Sequence, residues 1–195
     1  MLRSLDEGAL RFLRTRGHSA PAERAMSALA LVTEWGVLWA ALGLCAAALD
    51  EPRRARWLRA AAIGPLAVGV NHLVKVAVRR ERPRLRGLPA LGRVRSSRSF
   101  PSAHAASSAA AATAISRVTP AAGPPAYALA ALVCLTRPYL GAHYPSDAIA
   151  GAALGLALGR AWPGLGQDGG RTRADAVRVA GRPDMPSPRP EAAAQ

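Results

Sequence analysis

Two apolar runs most constrain what this chain can become: Ala25 to Leu49 and, after a short charged turn at Asp50 to Arg59, Ala60 to Val78. Each is long enough to cross a hydrocarbon core of ~30 Å at the helical rise of ~1.5 Å per residue. Inside lipid the backbone must satisfy its own hydrogen bonds, which a helix does within one segment. Three further stretches follow, Ser102 to Val118, Ala126 to Leu135 continuing toward Tyr139, and Ala148 to Trp162. They lie near or under the usual lower limit of ~17 apolar residues, and count as spans because polar residues extend their ends. The expected fold is all-α, an integral membrane helical bundle of about five transmembrane helices.

The flanks read differently. Residues 1–24 put Leu2, Leu5, Ala9, Phe12 and Leu13 on one helical face, with Arg3, Arg11, Arg14, Arg16, Asp6 and Glu7 on the rest. That pattern predicts an interfacial amphipathic helix, and without an apolar core it is not a secretory signal. Residues 25–162 form the predicted membrane domain. Residues 163–195 are rich in Gly, Pro and Arg without apolar periodicity, and read as a disordered tail. Pro65 predicts a kink in the second span. Gly151, Gly155 and Gly159, spaced by four, let another helix approach closely.

The formal charge is +14, and Lys75 is the only lysine among 26 basic residues. The arginines cluster at the ends of apolar runs and in the tail, with no aromatic interleaving for base stacking. They fit a membrane protein rather than a nucleic-acid partner. Cys45 and Cys134 fall inside apolar runs and read as small core residues, not as metal ligands or a disulfide. Glu34 interrupts the first run. It pairs with a neighbouring helix or supports a site residue, and the sequence leaves both open.

Three polar segments carry the chemistry. Lys75-x6-Arg82-Pro83 follows the second span, Pro101-Ser102-Ala103-His104 opens the third, and Arg137-x5-His143-x3-Asp147 joins the fourth to the fifth. Followed across a membrane, all three fall on the same side. Lys75, Arg82 and Arg137 supply positive charge suited to a phosphoryl group. A helix starting just after Pro101 offers free N–H groups and a positive dipole end to an anion, and the Ser102 hydroxyl adds a donor. Asp147 lies four residues after His143, so a helix starting at Pro145 lets the carboxylate meet the ring. That partner marks His143 as the nucleophile and leaves His104 as the general acid. No carboxylate cluster or Cys/His set suits a metal, so no cofactor is expected.

At these residues the chain resembles the type 2 phosphatidic acid phosphatase family, lipid phosphatases that share their site with vanadium haloperoxidases. The family pattern is Lys-x6-Arg-Pro, Pro-Ser-Gly-His and Ser-Arg-x5-His-x3-Asp. Here Ala103 stands for the glycine and Thr136 for the serine. The resemblance implies phosphate binding by Lys75, Arg82, Ser102, Ala103 and Arg137. It also implies a metal-independent phosphohistidine intermediate on His143. The substrates it implies are phosphatidate, phosphatidylglycerophosphate, a polyprenyl phosphate or diphosphate, or a prenyl phosphosugar. The expected partners are a phosphorylated lipid and the membrane, in a bacterial cell membrane. A non-catalytic lipid-phosphate binder is the alternative, and the apolar spans argue against a soluble haloperoxidase. Arginine counts lean toward a cytoplasmic site, but one span more or fewer reverses the N-terminal side, so the orientation stays open.

Overall fold

The computed structural model describes residues 2–91, 94 and 96–165; the predicted disordered tail therefore falls almost wholly outside the described residues. These residues build seven α-helices and no strand: α1 (Leu2–Thr15), α2 (Ala20–Val32), α3 (Val37–Leu49), α4 (Arg54–Val78), α5 (Ala103–Val118), α6 (Gly123–Tyr139) and α7 (Pro145–Ala161). Short 3-10 turns precede α3, α4 and α6.

The first apolar run does not form one straight helix. It starts earlier, at Ala20, where Ser19 caps the first turn, and it breaks at Glu34–Gly36 into α2 and α3, bent by 45°. Trp35 and Gly36 both have positive φ, 59° and 77°. Gly36 also sits against the Gly64–Pro65 backbone, where an added Cβ would lie 2.8 Å from the Gly64 carbonyl carbon. The break therefore follows from a left-handed turn pressed onto α4.

The second span is longer than its apolar core. Helix begins at Arg54, inside the expected charged turn, and continues through Pro65 as a single element. With its leading 3-10 turn, the segment Glu51–Val78 is 28 residues long and apolar enough to cross a membrane. The bent pair α2–α3 meets the same test when taken together.

Helix α5 is the centre. Its alanine, serine and threonine side chains are buried from Ala105 to Ile115. It packs most extensively on α7, and then on α4 and α6. Small side chains permit this, because backbones can approach until carbonyls and methyls touch. On α7 the glycine triplet forms the seam. A methyl at Gly151 would strike the Ser102 carbonyl oxygen, one at Gly155 the Ala106 carbonyl oxygen, and one at Gly159 would lie 2.6 Å from Thr113 Cβ. Trp39 on α3 fills the opposite side and donates from Nε1 to Ser108 Oγ at 2.9 Å.

Two apolar assignments shift. Cys45 is exposed on α3 rather than in the core, because α3 turns its small-residue face, including Gly43 and Ala47, toward α4. On α1, Leu5 and Phe12 are each 62% exposed, whereas Leu10 is fully buried and Asp6 and Arg14 nearly so. The inward face is thus Asp6–Leu10–Arg14, at helical spacing of four.

Replacing Gly155 by alanine should push α7 off α5. The backbone at Ala106 cannot yield as a flexible side chain would, so a loss of about 1–3 kcal/mol is expected. Thermal unfolding of the detergent-purified variant checks this as a lowered midpoint.

Candidate active site

The ends of α4, α5, α6 and α7 meet at a cavity of about 530 Å³, lined by Lys75, Arg82, Ala103, His104, Arg137 and His143. Glu34, Trp35, Asn71 and His72 complete its polar wall, and Leu31 and Val68 continue it as an apolar surface. Helix order explains the convergence: chain segments that exit and re-enter on one side put their polar ends together.

The cations are held by backbone oxygens. Lys75, in the last turn of α4, donates from Nζ to the Arg98 and Ser99 carbonyls at 3.2 and 3.4 Å. Arg82 donates from Nε to the Ser96 carbonyl at 2.6 Å and from Nη1 to the Ala142 carbonyl at 2.5 Å. Arg137, in the last turn of α6, is 5% exposed, and its Nε has no hydrogen-bond partner among the described residues. A buried guanidinium with an idle donor suits a bidentate anion.

The first turn of α5 supplies more donors. Ser102 is the N-cap and Ala103 the first helical residue, so the helix starts one residue later than the expected Ser102. Ala103 is not among the positive-φ residues, and its methyl is compatible with a helical backbone. The first N–H groups of a helix have no intrahelical acceptor, and Ala103 and His104 carry them to the cavity wall. Ser102 itself stands behind that wall. Its N–H donates to the Asp147 carbonyl at 2.9 Å, and its hydroxyl oxygen accepts from the Ala105 N–H at 3.5 Å. Thr136 is equally withdrawn, its hydroxyl donating to the Val133 carbonyl at 2.7 Å.

His143 lies in the turn between α6 and α7 and is 2% exposed. Arg82 Nη1 is 2.9 Å from its Nε2. A guanidinium only donates, so Nε2 carries a lone pair and the ring proton belongs on Nδ1. Nδ1 faces Asp147 Oδ2 at 3.6 Å, a charge contact longer than a hydrogen bond. Burial, and then the cations of Arg82, Arg137 and Lys75, hold the imidazole well below its usual value of 6.5. It is therefore neutral, with a free electron pair, at neutral pH. Across the cavity, His104 donates from Nε2 to the Ala30 carbonyl of α2 at 2.9 Å.

Asp147 is fully buried and has both oxygens engaged. Oδ2 accepts from the Tyr144 N–H at 2.9 Å and Oδ1 accepts from Arg80 Nη1 at 2.9 Å. Arg80 was not singled out in the sequence, nor was its second partner Asp6, which it meets through Nη2 at 2.7 Å. The available signal was an acid four residues before Leu10 and eight before Arg14, on a helix whose apolar face points elsewhere. Among the described residues, no three His, Cys, Asp or Glu side chains cluster as metal ligands.

Residues 55–169 match the family model of the PAP2 superfamily. The chain is 40% identical over 136 residues to decaprenylphosphoryl-5-phosphoribose phosphatase of Mycobacterium tuberculosis, covering 70% of this chain and 75% of that one. The Mycolicibacterium smegmatis enzyme of the same name is 39% identical over 114 residues, 58% of this chain and 62% of that one. The fold resembles the transmembrane PAP2-type phosphatidylglycerolphosphate phosphatase of Bacillus subtilis, with a TM-score of 0.67 and 23% identity over 82% of this chain and 83% of that one. It also resembles Aquifex aeolicus LpxE, with a TM-score of 0.60 and 18% identity over 78% of this chain and 91% of that one. A family match across more than half of the chain includes Lys75, Arg82, His104, Arg137 and His143 of the cavity, and the chain belongs to the PAP2 superfamily as a PAP2-type lipid phosphatase.

Proposed function

We propose that this chain hydrolyses the phosphate monoester of a polyprenyl-linked phosphosugar in a bacterial cell membrane, without a metal and through a phosphohistidine on His143. The mycobacterial relatives named for such a substrate support the choice of lipid. So does the cavity, whose lining combines the cations with polar Glu34, Asn71 and His72 and with apolar Leu31 and Val68. Those three kinds of surface suit a phosphate, a sugar and a prenyl chain.

The observation that carries the mechanism is the 2.9 Å contact from Arg82 to His143 Nε2, with Nδ1 turned to Asp147. In this reading the substrate phosphate takes over the guanidinium, and Nε2 attacks phosphorus. Arg82, Arg137, Lys75 and the first N–H groups of α5, at Ala103 and His104, stabilise the equatorial oxygens. Asp147 stabilises the cationic imidazole as the P–N bond forms. The P–O bond to the sugar breaks as His104, in its imidazolium form, exchanges its bond to Ala30 for one to the leaving group, gives the Nε2 proton to the departing oxygen and becomes neutral imidazole. Water then gives a proton back to His104 and attacks phosphorus. The P–N bond breaks, inorganic phosphate leaves, and Nε2 regains its electron pair.

The membrane reading rests on α2–α3, α4, α5, α6 and α7 as five spans, with α1 lying at the interface. Large apolar side chains are exposed along α2, α3, α4 and α6, among them Leu31, Leu44, Leu73 and Leu135. A water-soluble surface rarely exposes so many large apolar side chains on neighbouring helices.

Phosphate release from a polyprenyl phosphosugar, a polyprenyl phosphate, a polyprenyl diphosphate, phosphatidate and phosphatidylglycerophosphate tests both halves. Turnover by the detergent-purified protein is expected to persist in EDTA and to be fastest with the phosphosugar. His143→Ala should lose about 10³-fold or more in kcat, as expected for removal of a nucleophile. Metal-dependent turnover, or an active His143→Ala, overturns the mechanism.

A pH profile gives a separate check. The nucleophile must be deprotonated, and its protonation is displaced to low pH. The acid limb of kcat/KM assigned to His143 is therefore expected below pH 6.5, with activity lost only as the pH falls through that lowered value.

A further inference from the structure

Arg80 sits between two carboxylates on different helices. Its Nη1 donates to Asp147 Oδ1 at 2.9 Å and to Ser146 Oγ at 2.7 Å, while Nη2 donates to Asp6 Oδ2 at 2.7 Å. Asp6 is in turn locked to the start of α7. Its Oδ1 accepts from the Ser146 N–H at 3.0 Å, and its Oδ2 accepts from the Ser146 hydroxyl in a short contact. The Tyr144 ring covers the guanidinium at 4.2 Å. Asp6 is 9% exposed and the Arg80 side chain 27%, so the network is partly shielded from water.

From this geometry we infer that Asp6 of α1 is a positioning residue for the catalytic pair His143–Asp147, acting through Arg80. The inference rests on the proposal that His143 is the nucleophile. The charges alternate from contact to contact: the imidazole that becomes cationic, Asp147, Arg80, Asp6. Arg80 alone would draw the negative charge of Asp147 away from the ring. Asp6 balances Arg80 from the far side, so Asp147 keeps its field on Nδ1. The same contacts set the direction of the carboxylate, since Arg80 takes Oδ1 and leaves Oδ2 for His143 and the Tyr144 N–H.

Helix α1 is seated for this task. Leu10 is fully buried one turn after Asp6. Arg14, a further turn on, donates from Nη2 to the Pro89 carbonyl at 2.8 Å and from Nη1 to the Tyr139 carbonyl at 3.4 Å, beside the His143 turn. His18 stacks on Tyr139 with ring centroids 4.0 Å apart. The family match begins at residue 55, so α1 and Asp6 lie outside the part of the chain that the family model describes.

The test compares Asp6→Asn, Asp6→Glu, Asp147→Asn and the double variant Asp6→Asn/Asp147→Asn, with Leu10→Ala as a control that loosens α1 without touching the charges. Rates are taken per folded protein on the best lipid phosphate. Asp6→Asn is expected to lower kcat about tenfold with KM unchanged, the range for a lost hydrogen bond between charged groups. Asp6→Glu should recover part of the loss. In the Asp147→Asn background the Asp6→Asn change should cost nothing further, because its route to the ring is already cut. Leu10→Ala should lower the unfolding midpoint while leaving kcat per folded protein near wild type. Losses that multiply independently in the double variant, or a kcat for Asp6→Asn equal to wild type, overturn the inference while the wild-type turnover keeps the phosphatase reading intact. A reading that needs no turnover is the histidine ring ¹⁵N spectrum. The His143 Nδ1 resonance should shift in Asp6→Asn and stay in place in Leu10→Ala, and an unchanged resonance in Asp6→Asn also overturns the inference.

Discussion

The close approach of α7 to α5 governs everything else. Gly151, Gly155 and Gly159 meet the Ser102 and Ala106 carbonyls and Thr113 without a Cβ between them. This contact brings the beginnings of the two helices side by side, where the Ser102 N–H donates to the Asp147 carbonyl. One helix start carries His104 and the other carries Asp147. Their separation is therefore set by a backbone hydrogen bond and a glycine seam rather than by flexible side chains. Alanine-rich α5 can take this central position because small side chains allow neighbours on every side. A helix of leucine would hold its partners several ångströms further out.

Around that seam the site gathers more positive charge than the buried protein oxygens can balance. Lys75 and Arg82 lean on neutral carbonyls and the Nε of Arg137 has no hydrogen-bond partner among the described residues, while Glu34 lies on the cavity wall and the buried acid Asp147 faces the ring from behind. Such an arrangement is poorly satisfied by itself and well satisfied by a dianionic phosphoryl group. Binding an anion supplies the missing partners, and the transition state, with more charge on its equatorial oxygens, supplies them better. The two histidines differ through their surroundings. His143 is kept unprotonated by burial and by the cations Arg82, Arg137 and Lys75, while His104 donates from Nε2 to the Ala30 carbonyl.

The N-terminal helix connects this chemistry to the outside of the bundle. Its Leu5 and Phe12 face outward, while Asp6, Leu10 and Arg14 face in. The inward stripe closes an ion network on Arg80 and holds the turn that carries His143. A segment whose sequence pattern predicts an interfacial helix thereby becomes part of the wall behind Asp147.

The sequence by itself determined the helical class, the order of the apolar segments and the side on which the polar motifs meet. Apolar length, helix-start residues and spacing are local properties, so Lys75, Arg82, His104, Arg137, His143 and Asp147 were legible before any packing was known. Ser102 was legible as a helix-start residue, but its distance from the cavity was not. Only tertiary structure decided which donors reach the cavity and which are consumed: the Ser102 N–H goes to Asp147, and the Thr136 hydroxyl goes back to its own helix. It also decided the break at Trp35–Gly36, because a left-handed turn there depends on how close Gly64 comes. Above all it decided the partners of Arg80. Asp6 lies 74 residues from Arg80 and Asp147 lies 67 residues from it. No periodicity or spacing rule reaches that far; only the folded chain brings those charges within hydrogen-bonding distance.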